Sequence, residues 1–139
     1  MITSYQTGDA QLVISQKAQR EEAAEFAPFF DDIPAYSLID DESGAVLAVF
    51  GYRLVTEDTA ECFALMSEMC MLRLREMVMF LKQKISEEMR DLFLRRVIMT
   101  VKKNFAAGMK FAKILGFHLV AELPDFYLGQ DYQLFERSE

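Results

Sequence analysis

Residues Arg95–Phe117, RRVIMTVKKNFAAGMKFAKILGF, restrict the chain more than any other stretch. Arg95–Val101 is a nearly continuous apolar run with β-branched residues, the pattern of a strand covered on both faces. A short turn through Asn104 follows, then an amphipathic helix on which Asn104, Ala107 and Phe111 share a face at i, i+3 and i+7. Leu115-Gly116-Phe117 is a helix exit, because glycine readily takes the left-handed conformation that ends a helix. A buried strand, a helix and a further strand in this order require a layered α and β structure.

The segment before this run supports the same architecture. Over Ser67–Leu94, Leu74, Met77, Val78, Leu81, Ile85, Met89 and Leu92 recur on one helical face, which predicts a long helix packed on the sheet. Because that helix separates Glu61–Met66 from Arg95–Val101, the two strands are expected to be parallel neighbours joined by a right-handed crossover. Upstream, Tyr36–Ile39 and Ala45–Tyr52 flank a polar turn ending in Gly44, and a Thr56–Thr59 turn leads on to Glu61–Met66, so these three strands form an antiparallel meander.

Near the N-terminus, Ile2–Tyr5 reads as a short strand and Asp9–Phe26 as one helix, with Asp9 as N-cap and Pro28 beyond its end. Phe29–Pro34 reads as a loop or a single turn whose aromatics either anchor it on the core or, beside Asp31 and Asp32, edge a pocket for an amine. After Phe117–Glu122, a Pro124–Gly129 loop leads to a last strand, Tyr132–Arg137.

A length of 139 residues suits a single domain over 1–139, and 52% hydrophobic with 27% charged residues places it among ordinary globular proteins, of α+β class by its element order. The apolar runs are too short for a membrane span, and the first residues lack the basic start and apolar centre of a secretory signal; a cytoplasmic location is expected. Cys62, Cys70 and His118 are too few for a structural zinc site or a disulfide framework, and both cysteines read as core filler. The net charge of −7 argues against nucleic-acid binding. It is uneven: about −10 over residues 1–68, +7 over 69–113 and −4 over 114–139, counted as Lys and Arg minus Asp and Glu.

The element order β-α-β-β-β-α-β-α-β-β carries Phe50-Gly51 at a strand end, the Asn104 turn, Leu115-Gly116-Phe117 and the Pro124–Gly129 loop. In that order these features resemble the GNAT N-acetyltransferase superfamily, and within it the small GNAT-like proteins of short-tailed phages related to internal virion protein A. The resemblance implies a mixed, mainly antiparallel central sheet flanked by helices, acetyl-CoA or another acyl-CoA as cofactor, and an amine acceptor. It implies coenzyme contacts from Leu65 and Met66 on a splayed strand, from Arg73 and Arg75 to phosphate, and from Asn104, Ala107 and Phe111. Asn104 also reads as an ordinary N-cap, and the two roles are compatible. The basic segment 69–113 would surround the coenzyme, or its Lys and Arg side chains simply solvate helix faces.

Two departures from the resembled pattern are plain. The Gln/Arg-x-x-Gly-x-Gly/Ala phosphate loop would fall in Ser67–Arg75, which holds no glycine. The general-acid tyrosine would fall at Phe111 or Ala112, and neither can donate a proton. Tyr127 or Tyr132 is the substitute donor, and Glu61 or Glu68 the base for the amine. The two readings are therefore an N-acyltransferase and a catalytically inactive GNAT-fold component of a phage or prophage. The second includes a phage protein or a second copy of the chain as partner and association with the virion. A third reading is another α+β binding module, which a strand order other than that of the superfamily would establish in place of both.

Overall fold

The computed structural model describes residues 1–138. Strands β1 (Ile2–Ser4), β2 (Ala35–Ile39), β3 (Val46–Thr56), β4 (Thr59–Met66), β5 (Arg96–Lys102), β6 (His118–Tyr127) and β7 (Gln130–Ser138) hydrogen-bond in the order β1-β2-β3-β4-β5-β7-β6. The helices are α1 (Asp9–Leu12), α2 (Arg20–Phe26), α3 (Leu74–Asp91) and α4 (Ala106–Ile114). Among the described residues no helix is long and apolar enough to cross a membrane. The sheet is mixed: β4–β5 is parallel, and β1–β2, β2–β3, β5–β7 and β6–β7 are antiparallel. The expected parallel neighbours are thus present. The chain divides into two compact units, residues 1–53 with 63–77, and 54–62 with 78–138.

In the first unit, Ala10, Val13, Ala27, Phe30, Val46, Val49 and Leu65 form a buried core, against which Tyr5, Ile33 and Phe63 pack. The β2–β3 hairpin has the expected polar turn, with Gly44 at φ 75°. The predicted single helix over Asp9–Phe26 is instead three pieces: α1, a 3-10 turn at Lys17–Gln19, and α2. Val13 is extended at ψ 125°, and Ser15 makes an antiparallel bridge to Ser67. The helical period is interrupted because the chain spends residues 13–16 satisfying backbone groups beside β4.

Asp9 is not the N-cap of α1. Gly8 holds that position at φ 90°, while the Asp9 carboxylate accepts the Gln6 N–H at 3.0 Å and the buried Ser37 hydroxyl at 2.7 Å. Phe29–Pro34, expected as a loop or a single turn, begins in a 3-10 helix, Ala27–Asp32, that buries Phe30. Its neighbour Phe29 anchors on Phe63 edge-to-face at 5.3 Å. The first turn after β4 is likewise 3-10, Met69–Arg73, and α3 begins only at Leu74.

In the second unit, β5 pairs with β7 from Arg96↔Ser138 to Lys102↔Tyr132. Val97, Met99 and Val101 are buried, whereas Arg96 is exposed and Ile98 and Thr100 are half-buried, so β5 alternates where burial on both faces was expected. Helix α4 starts from Phe105, whose N–H is bonded to Lys102; Asn104 is exposed and does not cap it.

The helix ends as the sequence predicts. Gly116 sits at φ 94°, its N–H donates to the Lys113 carbonyl at 3.0 Å, and the Phe117 N–H donates to the Ala112 carbonyl at 3.0 Å. This double bond is the Schellman closure, which satisfies carbonyls left over at a helix end. Strand β6 runs on to Tyr127, through the predicted Pro124–Gly129 loop. Asp125 at φ 48° and a register shift between Leu123 and Tyr127 absorb Pro124, and the turn is at Leu128-Gly129.

Candidate functional site

Strand β4 carries Glu61, Leu65 and Met66 of the predicted site residues. Successive residues of a strand direct their N–H and C=O groups to opposite edges. The Ser67 N–H donates to the Leu47 carbonyl at 2.9 Å, so the β3 side takes residue 67. Ala64 and Met66 therefore present their backbone groups to the other edge.

That edge is already bonded. The Gln19 side-chain amide lies along it, with Nε2 donating to the Ala64 carbonyl at 3.0 Å and Oε1 accepting the Met66 N–H at 3.0 Å. The reciprocal pair fixes the orientation of the amide, because the flipped form would set donor against donor. The Gln16 N–H donates to the Met66 carbonyl at 3.0 Å, and Gln16 Nε2 donates to the Ser67 carbonyl at 3.3 Å. Gln19 is 6% exposed. Sequence reasoning missed both glutamines: nothing in the spacing of QKAQ distinguishes them from exposed helix positions.

The turn after β4 is closed by side-chain and backbone hydrogen bonds. The Cys70 N–H donates to Ser67 Oγ at 3.3 Å, the Cys70 thiol to the Ser67 carbonyl at 2.9 Å, and the Met71 N–H to the Glu68 carbonyl at 3.2 Å. The amides of Cys70 and Met71 are thus consumed within the turn. Arg73 is held by carboxylates: Glu76 at 2.8 Å, Asp40 at 3.7 Å and Asp41 at 3.9 Å. Its hydrogen bond to Glu76 raises its pKa further. Arg75 and Glu68 are exposed, and the Leu65 and Met66 side chains are buried.

Glu61, Asn104, Ala107, Phe111 and Tyr127 belong to the second unit. Glu61 lies half-buried on β4, where its backbone pairs with Ile98 of β5, the last of three pairs that begin at Thr59↔Arg96. Phe111 is buried, Ala107 half-buried and Asn104 exposed. The Tyr127 ring meets the buried Tyr132 edge-to-face at 6.2 Å. Burial pushes the Cys62 thiol up to about 12, with the neighbouring Glu61 charge adding to it, and burial raises Cys70 to about 11. Both thiols stay protonated at neutral pH, as core filler would.

Comparison with solved structures decides the architecture. The acetyltransferase (GNAT family) of Bacillus anthracis matches at TM-score 0.73 and 10% identity, over 99% of this chain and 93% of its own. The fold is that of the GNAT acetyltransferases. A GNAT family acetyltransferase of Elizabethkingia anophelis, with acetyl-CoA bound, matches at TM-score 0.71 and 10% identity over 100% of this chain and 97% of its own. A spermidine N-acetyltransferase variant of Vibrio cholerae matches at TM-score 0.67 and 11% identity over 99% and 94%. At these identities the likeness is one of fold. No family model matches the sequence, and no curated protein matches it.

The coenzyme seen in one of those structures can be tested against the residues of this chain. A pantetheine arm carries two amides, and a strand edge with open N–H and C=O groups is their natural partner. Here the Ala64–Met66 edge is filled by glutamine, the amides of Cys70 and Met71 are engaged, and Arg73 is paired. In the described conformation these groups do not fit the coenzyme.

Proposed function

We propose that the chain is an acetyl-CoA-dependent N-acyltransferase whose acceptor is an amine, and that the conformation described is its closed form. The observation that carries this reading is the fold, shared over nearly the whole chain with acetyltransferases, one of them holding acetyl-CoA. Leu65 and Met66 are the proposed coenzyme strand, and Asn104, Ala107 and Phe111 the proposed helix face. Arg75 replaces the paired Arg73 as the phosphate contact. Glu61, half-buried on β4, is the proposed base towards the amine, and the exposed Glu68 is the alternative. Tyr127 is the proposed proton donor, in place of the missing helix tyrosine.

Ligand-linked stability tests this. Acetyl-CoA at 100 times its dissociation constant adds about 2.7 kcal/mol, which a thermal melt reads as a rise of several degrees. A midpoint that stays put at millimolar acetyl-CoA sinks the proposal.

A second reading is favoured by a specific observation. Phe111 and Ala112 are both buried and carry no proton donor. We infer from this an inactive scaffold serving as a binding or structural component, in the setting of a phage or prophage and with a phage protein or a second copy as partner. It expects acetyl-CoA to be left intact with every amine offered. Release of free thiol that depends on an amine, and is lost in Glu61→Gln, rules it out.

A further inference from the structure

The Ser15–Gln19 segment does to β4 what a ligand would do. Gln19 offers one donor and one acceptor on a planar amide and spends them on the Ala64 carbonyl and the Met66 N–H, each at 3.0 Å. Gln16 adds its own N–H to the Met66 carbonyl. The Met66 N–H is buried and the Ala64 carbonyl part-buried, and leaving them unmatched carries a desolvation cost. The edge is therefore more stable occupied than empty.

The occupant is lightly tethered to the rest of its unit. Leu12 and Ile14 are 64% and 81% exposed, Lys17–Gln19 is a single 3-10 turn, and Ser15 contributes one isolated bridge. Behind the segment lies an open groove of about 330 Å³, lined by Ala10, Val13, Ser15, Arg20, Ala23 and Ala27 among others. Ala10, Val13 and Ala27 of that lining belong to the core of the unit, and Ser15 is the part of the segment that borders the groove.

We propose that Gln19 is an internal stand-in for a ligand amide, and that the Ser15–Gln19 segment gates the β4 edge by vacating it when an acyl-CoA enters. This rests on the acyl-CoA reading of the same edge. Exchange of one amide for another keeps Ala64 and Met66 satisfied in both states, so opening and ligand entry are coupled. A protein whose competent state is a minor population binds with its affinity reduced by that fraction, and removal of the gate restores it.

Calorimetric titration of acetyl-CoA into the wild type and Gln19→Ala reads the gate directly, with the Gln19 side-chain amide followed by NMR in the wild type. The gate predicts an affinity about tenfold or more tighter in Gln19→Ala, and a Gln19 amide signal that moves to its solvent-exposed position as wild type saturates. The NMR arm uses wild type only, so it stands even if Gln19→Ala folds poorly. Binding that leaves the Gln19 signal in place, or equal affinities for the two folded proteins, overturns the gate while the acyltransferase reading survives. Absence of binding to both at millimolar acetyl-CoA overturns the gate and that reading together.

Discussion

Tyr5 and Asp31 illustrate how single residues of the first unit are tied. The Tyr5 hydroxyl donates to Asp31 at 2.7 Å, the Ala10 N–H donates to the Tyr5 oxygen at 3.2 Å, and the Gly8 N–H donates to Asp31 at 3.0 Å. The Tyr5 bond, then the Gly8 amide, hold the Asp31 carboxyl below its usual value. Burial first, and then Asp31, push Tyr5 up to about 12. A depressed carboxyl stabilises the fold above the ordinary carboxylate pKa of about 3.9 and loses that contribution as the pH falls through the folded value. A raised phenol stabilises it below its ordinary pKa of about 10 and loses that contribution as the pH rises towards 12. Thermal midpoints should therefore decline on both flanks, and Tyr5→Phe should flatten both declines. Parallel pH profiles for wild type and Tyr5→Phe would contradict this network. Asp31 was legible as a carboxylate beside aromatics, but its hydrogen bond to a residue 26 positions away was not.

At the scale of elements, α4 is the clearest case of local sequence agreeing with tertiary structure. Its helical spacing and its Leu-Gly-Phe end are read directly from the chain. Its closeness to β5 depends on Gly108: a Cβ there would stand 2.6 Å from the Phe105 ring and 3.0 Å from Val101 Cγ1. Gly108→Ala should cost about 1–3 kcal/mol through overpacking, although alanine is the better helix former. Urea denaturation measures it, and a stabilised variant would show that α4 can shift outward at no cost. The Asp9–Phe26 segment is the opposite case. Its apolar spacing is helical throughout, yet the helix breaks where Ser15 bridges to Ser67 and the Gln16 N–H donates to Met66 of β4, tertiary hydrogen bonds outweighing propensity. The glycine-free turn after β4 was legible; that its amides close on Ser67 and Glu68 depended on a 3-10 geometry the residues do not announce.

Over the whole molecule, stability should be graded. Strand β5 is bonded to β7 along its full length and its alternate side chains are buried, whereas Ser15–Gln19 holds to β4 by a few bonds beside exposed neighbours. Amide exchange should be slowest at Val97–Val101 and markedly faster over Ser15–Gln19, reflecting local opening. Equal protection in the two segments would refute both the grading and the ease of displacement that a gate requires. The sequence by itself determined the layered α and β architecture, the parallel pair around a crossover, the hairpin and the glycine-ended helix. Each of these is written in local periodicity or in a residue with a special backbone preference. Only the tertiary structure decided what occupies the edge of β4, because Gln19 and Met66 are 47 positions apart. A side-chain amide has no period that reveals which backbone it will meet.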